Sequence, residues 1–197
     1  MSGEVEFFYD YGSPASYLAW TQLPKIAEAG GAVLVYRPML LGGVFKATGN
    51  QTPAAIPAKG EWMQQDLARF AARYRVPYER NPFFPIITLQ HMRMAVAAQM
   101  HGSDALARMD QAMFRAIWVE AKDMNDPDVV AAVLTAAGFD APAMAARCAE
   151  PEVKQQLIAN TEEAVGRGVF GAPTMFVGDE MFFGQDRLDF VAEALAA

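Results

Sequence analysis

A short turn near the N-terminus constrains the fold more than any other feature of the sequence. Glu4–Tyr9 is a mostly apolar run typical of a β-strand, and helical periodicity begins near Tyr17. Between them lies Ser13-Pro14, and proline favours the first turn of a helix because its missing N–H has no partner there. The sequence therefore predicts a strand that leads directly into a helix. Ser13 would lie at the positive end of the helix dipole, among unpaired N–H groups.

The elements that follow this turn indicate a parallel β-α-β unit. The predicted helix covers Pro14–Ala29 and ends at Gly30-Gly31, which is a common C-terminal signal. Residues 32–37 then form a β-rich apolar run that Pro38 closes. Two strands and a helix within forty residues fit a right-handed crossover between parallel strands.

The middle of the chain is predicted to be helical. Residues 40–167 carry little strand signal, and their apolar residues recur at helical spacing. Methionine is dense there, which is typical of the core of a helical bundle but also suits an adaptable binding surface. The predicted helices cover 59–75, 88–100, 105–121, 128–137, Ala141–Ala149 and 152–167.

The C-terminal part returns to β-structure and then ends in a helix. Strands are predicted at Thr174–Val177 and Glu180–Phe183, joined by a Gly-Asp turn. A terminal helix is predicted over 186–196, with Asp186 as its N-cap after a glycine. The last elements therefore follow the order β-β-α.

The order of all these elements predicts an α/β, thioredoxin-like fold. Removing the helical middle leaves β-α-β followed by β-β-α, which is the thioredoxin topology. We expect residues 1–39 and 168–197 to form the thioredoxin-like domain, with residues 40–167 as a large all-helical insertion between its halves. Because no linker-like segment separates them, the insertion is expected to pack onto the sheet.

The predicted helix start carries no thiol. A thioredoxin-like redox enzyme places the first cysteine of Cys-x-x-Cys at this point, but the four residues here are Ser13-Pro14-Ala15-Ser16. The single cysteine, Cys148, lies in a predicted helix without an activating neighbour, so we interpret it as a packing residue rather than a nucleophile. A thiol would have to arrive on a ligand.

The amino-acid composition and net charge argue against several classes of function. The 197 residues are 53% apolar, which is enough for a packed core, and the net charge of −7 without a basic cluster argues against a nucleic-acid partner. No run approaches the ~18 apolar residues of a membrane span, and no signal peptide is evident. We therefore expect a cytoplasmic protein. His91 and His101 lack metal-ligand spacing, so no metal is expected.

A second motif precedes the C-terminal hairpin. Pro173 stands directly before a predicted strand, where its missing N–H costs the sheet nothing. In the thioredoxin topology this loop faces the N-terminus of the first helix. If the Ala172–Pro173 bond is cis, the Ala172 N–H and C=O turn outward and can pair with an extended ligand; an ordinary trans proline is the alternative.

A set of short motifs runs along the whole chain, at 9–17, 36–38, 41–45, 49–50, 57–60, 169–174 and 183–187. No single motif is specific, but the set is. Together, the motifs resemble the family of 2-hydroxychromene-2-carboxylate isomerases and kappa-class glutathione transferases, a DsbA-like branch of the thioredoxin fold. The resemblance covers essentially the whole chain, in order and at the family's spacing.

The resemblance implies glutathione as the missing thiol and a homodimer as the assembly. Ser13 would be the catalytic residue, with its hydroxyl donating to the thiolate at a helix start that lowers the thiol pKa. Ala172 would bind the ligand's backbone, and Gln185 and Asp186 its γ-glutamyl end. For the polar residues, a cap or a solvated surface is the alternative role. The full implied set is Ser13, Pro14, Ala15, Asn50, Lys59, Ala172, Pro173, Gln185 and Asp186.

The resemblance also implies a reaction. The isomerase interconverts 2-hydroxychromene-2-carboxylate and trans-o-hydroxybenzylidenepyruvate, in aromatic hydrocarbon catabolism, through thiolate addition, bond rotation and elimination. Conjugation or peroxide reduction by a kappa-like transferase is the alternative activity, and a non-catalytic glutathione-binding module is a third. A dithiol oxidoreductase is disfavoured because no cysteine lies near Ser13.

The substrate, a small aromatic carboxylate, is expected between the sheet and the insertion. Arg93 or Lys59 could accept its carboxylate. Aromatic side chains could bind its ring, although aromatics at helical spacing are usually core. The aromatic candidates are Trp62, Phe83, Phe84 and Trp118.

Overall fold

The computed structural model describes residues 3–196 and contains a four-stranded sheet in the order β2-β1-β3-β4. Strand β1 pairs in parallel with β2 and antiparallel with β3, and β3 pairs antiparallel with β4. The N-terminal and C-terminal elements thus share one sheet, which confirms the predicted fold class. Residues 1, 2 and 197 of the predicted domain ranges lie outside the described residues. The strands are β1 (Glu4–Tyr9), β2 (Val33–Pro38), β3 (Thr174–Val177) and β4 (Glu180–Phe183).

The helices follow the predicted pattern with two differences, apart from shifts of one to three residues at the ends of α3, α4, α5, α6 and α8. Helices α1 and α7 begin and end at the predicted residues. The helices are α1 (Pro14–Ala29), α2 (Leu41–Thr48), α3 (Pro57–Tyr74), α4 (Leu89–His101), α5 (Ser103–Trp118), α6 (Pro127–Ala136), α7 (Ala141–Ala149), α8 (Pro151–Gly166) and α9 (Leu188–Ala196). Helix α2 was not predicted, because it is short and begins Leu-Gly-Gly, and glycine is a poor helix former.

The start of the terminal helix is the second difference. A 3-10 turn, Gln185–Arg187, precedes α9, and no side chain caps that turn. The prediction of Asp186 as the N-cap of a helix over 186–196 is therefore wrong. The Asp186 carboxylate is instead paired with the Arg187 guanidinium, with 2.7 Å between Oδ2 and Nη1.

Strand β1 is buried on both faces, so it lies at the centre of the molecule. Successive side chains of a strand point to opposite faces. Tyr9 packs in a core cluster with Met92 of α4 and Phe114 of α5, whereas Phe8 packs in a second cluster with Val44 of α2. Helices from the middle of the chain therefore complete the core on both sides of the sheet, in keeping with the expected packing.

The methionine-rich helices contribute mainly to this core. Met92, Met109 and Met113 are fully buried, which supports the core interpretation over that of an adaptable surface. Within residues 3–196, no single helix is long and apolar enough to cross a membrane. Helices α6 and α7 meet that criterion only when taken together, and they are bent by 115° relative to each other.

The core also holds a buried carboxyl group. The hydroxyls of Tyr9 and Tyr11 both donate to Oδ1 of Asp110, at 2.7 and 2.5 Å. The second oxygen, Oδ2, has no partner among the described residues. Burial raises the pKa of Asp110 to about 7, although the two hydroxyl bonds oppose the rise.

We expect Asp110 to make stability depend on pH. An aspartate in an unfolded chain ionises near pH 3.9. Because the folded protein holds this proton more tightly, the stabilisation is present below that pH and is lost as the pH rises through about 7. Asp110→Asn keeps the acceptor oxygen but cannot titrate. In urea unfolding from pH 4 to 8, the wild type should therefore lose stability relative to Asp110→Asn. Parallel pH profiles for the two proteins would contradict this.

Candidate active site

A cleft of about 1500 Å³ opens at the N-terminus of α1. It is bounded by the turn after β1, the loop before β3, the turn before α9 and the loops on either side of α3. These elements are distant in sequence and meet only in the folded chain. The predicted site residues that line the cleft are Ser13, Pro14, Ala15, Asn50, Phe84, Ala172, Pro173, Gln185 and Asp186, and Trp118 lines it as well.

Ser13 is the N-cap of α1 and faces the loop before β3. Its Oγ accepts a hydrogen bond from the Ser16 N–H at 3.1 Å, which satisfies one of the free donors of the first turn. Its hydroxyl donates to the Ala172 carbonyl at 3.0 Å. In this structure the hydroxyl proton therefore lies between α1 and the Ala172 backbone.

The loop before β3 is fixed through its carbonyl groups. The Ala172–Pro173 peptide bond is cis. This is the isomer for which we predicted that the Ala172 N–H and C=O turn outward and can pair with a ligand. The Asn50 amide donates to the Phe170 carbonyl at 2.8 Å, and the Gly184 N–H donates to the Pro173 carbonyl at 3.0 Å. With the bond from Ser13 to Ala172, three elements thus hold this loop at the cleft wall.

Asp10 lies in the turn between β1 and α1, and it was not predicted as a site residue. Its buried carboxylate accepts from the N–H of Gly12, the N–H of Leu41 and the hydroxyl of Thr88, at 2.8, 2.8 and 3.0 Å. Burial raises the pKa of Asp10, and the three hydrogen bonds oppose that rise. One carboxylate thus joins the starts of α1, α2 and α4. A Cβ at Gly12 would lie only 3.0 Å from Thr88 Cγ2.

Gln185 and Asp186 form the edge of the cleft beyond β4. Gln185 is buried, and its carbonyl accepts a hydrogen bond from the Tyr74 hydroxyl at 2.6 Å. Asp186 is exposed and lies over Gly184, whose φ of +97° and contact with the Asp186 carboxylate leave no room for a side chain. The carboxylate of Asp186 is therefore held at the cleft edge while remaining open to a ligand.

Comparison with known proteins identifies the family. The DSBA-like thioredoxin domain model matches residues 4–196. The chain belongs to the DsbA-like thioredoxin family. It is 34% identical to 2-hydroxychromene-2-carboxylate isomerase of Sphingobium xenophagum, over 99% of both chains. It is 29% identical to glutathione S-transferase kappa 1 of Homo sapiens, over 97% of this chain and 90% of that relative.

Solved structures agree with this assignment. A 2-hydroxychromene-2-carboxylate isomerase superposes with a TM-score of 0.83 at 29% identity, over 98% of this chain and 94% of that one. A probable DsbA oxidoreductase from Streptomyces coelicolor, at 19% identity over 98% of this chain and 88% of that one, has a TM-score of 0.76 and shows the fold alone. The predicted resemblance to isomerases and kappa transferases is confirmed, and these relatives are enzymes.

In this DsbA-like protein the cleft contains no cysteine among its described lining residues. The single cysteine, Cys148, is buried in α7, and burial raises the pKa of its thiol to about 11. A thiolate from this chain is therefore not available to the cleft at neutral pH. Among residues 3–196, no group of three or more His, Cys, Asp or Glu side chains is placed to hold a metal ion.

Four predicted residues do not border the cleft of this DsbA-like protein. Lys59 and Trp62 are exposed on α3, and Trp62 retains 60% of its accessible surface. Arg93 lines a separate cavity of about 240 Å³, together with Lys154 and Thr161. Of the aromatic candidates, Phe84 and Trp118 line the cleft with ring centroids 6.1 Å apart, whereas Phe83 lies outside it.

Proposed function

We propose that this protein is a glutathione-dependent isomerase that interconverts 2-hydroxychromene-2-carboxylate and trans-o-hydroxybenzylidenepyruvate. One observation carries the proposal: the hydroxyl of Ser13 caps a helix N-terminus at the wall of a large cleft that has no thiol of its own. Such a site suits a thiolate brought by a ligand. The relatives that bear the isomerase name support the choice of reaction.

The residues around Ser13 fit glutathione. The N–H groups of the first turn of α1 and the helix dipole favour a negative charge there. The Ala172 backbone offers a carbonyl to the peptide part of the ligand, and the Asp186 carboxylate offers a partner to its ammonium group. When bound, glutathione supplies the nucleophilic thiolate whose reversible addition frees the substrate's double bond to rotate.

Glutathione binding would change the hydrogen-bond partner of the Ser13 hydroxyl. This hydroxyl donates to the Ala172 carbonyl in this structure. A ligand N–H that takes over this carbonyl would release the hydroxyl to donate to sulfur. The Ser16 N–H would continue to donate to Ser13 Oγ, which keeps the hydroxyl in place. No buried acceptor would then lose its partner in the exchange.

The aromatic wall would hold the substrate ring and keep water from it. Phe84, 38% exposed, would form the surface of this wall, and the buried Trp118 ring supports it from behind, where the indole N–H donates to the Tyr11 carbonyl at 2.7 Å. Aromatic rings pack well against planar ligands. The cleft volume of about 1500 Å³ leaves room for a bicyclic substrate beside glutathione.

An assay of thiol consumption tests the proposal against its alternative, a kappa-like transferase. The protein would be given chromene carboxylate with glutathione at about a hundredth of the substrate concentration. An isomerase regenerates glutathione, so the reaction should reach the equilibrium mixture of the two isomers, with far more product than glutathione, while free thiol stays constant. Conversion that stops once the thiol is consumed would indicate conjugation instead. Glutathione binding without either outcome would favour a binding module.

Asp186→Ala should weaken glutathione binding more than it slows the saturated reaction. The pair with Arg187 is exposed, so the carboxylate can leave it at little cost. We expect the glutathione concentration for half-maximal rate to rise roughly tenfold, which is the effect expected when one charge-assisted hydrogen bond to the ligand is lost. Asp189→Ala removes the same charge from the first turn of α9, outside the cleft, and is the control. Equal glutathione dependence in all three proteins would remove Asp186 from the site.

A further inference from the structure

The described residues that line the cleft include a single cationic side chain. Among the described lining residues, Arg80 is the one Lys or Arg, and the acidic ones are Asp10, Glu61 and Asp186. Asp10 is buried beneath three hydrogen bonds. Because the N-terminus of α1 is assigned to the thiolate, a substrate carboxylate that enters this cleft has one cationic side chain available to it.

The backbone on both sides of Arg80 is fixed beside the aromatic wall. The Glu79 N–H donates to the Trp118 carbonyl at 2.8 Å. The buried Asn81 amide donates to the carbonyls of Ile117 and Lys122, at 2.9 Å each. The arginine side chain thus starts from a defined position next to Trp118, one of the rings that line the cleft.

The guanidinium itself is only weakly held. It contacts Glu61 of α3 with 3.2 Å between Nη2 and Oε1, and both side chains are mostly exposed, at 62% and 66%. An exposed ion pair of this kind contributes little to stability, so the guanidinium can exchange partners at low cost. Guanidinium groups match carboxylates in geometry and can bind them with two parallel hydrogen bonds.

We propose that Arg80 is the carboxylate-binding residue of the substrate site, and that Glu61 holds it when no substrate is bound. A single cation beside an aromatic wall makes the cleft selective for aromatic substrates that carry a carboxylate over neutral ones of the same shape. This inference rests on the proposed function for the identity of the reaction. The recognition of an aromatic carboxylate is a separate property that can be measured without turnover.

Two substrates that differ only in the carboxylate test the role of Arg80. trans-o-Hydroxybenzylidenepyruvate carries the group, and o-hydroxybenzylideneacetone has a methyl group in its place. Arg80→Gln should raise KM for the first roughly tenfold, the scale of a hydrogen bond to a charged group, and leave KM for the second within about twofold. Glu61→Gln should lower KM for the first, because it removes a competing and repelling carboxylate. Arg69→Gln, which removes an exposed charge from α3 outside the cleft, is the control and should change neither.

A binding measurement without glutathione separates this inference from the proposed function. The wild type should bind 2-naphthoate more tightly than 2-naphthamide, and Arg80→Gln should abolish the difference. If that holds but chromene carboxylate is not turned over, the proposed function fails and the carboxylate subsite stands. Equal binding of the two naphthalenes by the wild type would overturn the inference. A preference for naphthoate that survives in Arg80→Gln would overturn it as well.

Discussion

Replacing Ser13 with alanine is expected to lower glutathione-dependent turnover roughly a hundredfold, the loss typical of one preorganised donor to a developing or stabilised anion. The Ser13 hydroxyl is the side-chain donor at the N-terminus of α1, beside the Ala172 carbonyl at the cleft wall. Without it, the pKa of bound glutathione should rise and the thiolate fraction at neutral pH should fall.

Ser16→Ala is the matched control for this variant. Ser16 lies in the same helical turn, is fully buried, and its Oγ has no hydrogen-bond partner in the described part of the chain. Its backbone N–H, which donates to Ser13, is unchanged by the substitution. Steady-state rates at saturating glutathione should therefore fall for Ser13→Ala and not for Ser16→Ala. Loss of the N-cap should cost Ser13→Ala about 1 kcal/mol of stability, which urea unfolding measures separately. Similar rates for the two variants would remove Ser13 from the chemistry.

Asp10→Ala is expected to lower the free energy of unfolding by about 3 kcal/mol or more. The substitution leaves the N–H groups of Gly12 and Leu41 and the hydroxyl of Thr88 without their acceptor in a buried site, and each unsatisfied donor is costly. Because these donors begin three different helices, glutathione binding should weaken as well. Urea unfolding of the glutathione-free protein measures the first effect, and calorimetry the second.

Thr88→Val provides the graded comparison for Asp10. It preserves the shape of the side chain and removes one of the three donors, while the two backbone N–H groups continue to hold the carboxylate. We expect it to cost about 1 kcal/mol. If Asp10→Ala destabilised the protein no more than Thr88→Val, the carboxylate would not be the link between α1, α2 and α4.

Local sequence signals were sufficient for the fold and for the centre of the candidate site. The boundaries of β1, α1 and both hairpin strands depend on short-range patterns, such as the Ser-Pro helix start and the Gly-Asp turn. The opposition of Ser13 and Ala172 then followed from the topology. Helix α2 was not predicted because two glycines near its start give it a low helix propensity. It is stabilised instead by packing against α8 and the sheet.

Residues whose role depends on long-range geometry could not be predicted in the same way. An Asx turn from Asp10 to Gly12 is a local signal, but its partners Leu41 and Thr88 lie 31 and 78 positions away. Periodicity also does not say which side of α4 faces the cleft, and Arg93 lies on the side of a separate cavity. Arg80, for which we propose a role in carboxylate binding, was not among the predicted residues because it occupies a loop without a motif.

The pKa of the glutathione thiol in the complex is the most direct test of the central claim, that Ser13 and the start of α1 stabilise a thiolate brought by a ligand. The ultraviolet absorbance of the thiolate would be titrated against pH with protein and glutathione together. A free thiol titrates near pH 8.5, and helix N-termini can lower this value to between about 3.5 and 7.5. We expect the thiolate titration of bound glutathione to have a midpoint below about 7.5 in the wild type and to return toward about 8.5 in Ser13→Ala. A midpoint at or above 8.5 in the wild type, with glutathione bound, would contradict it.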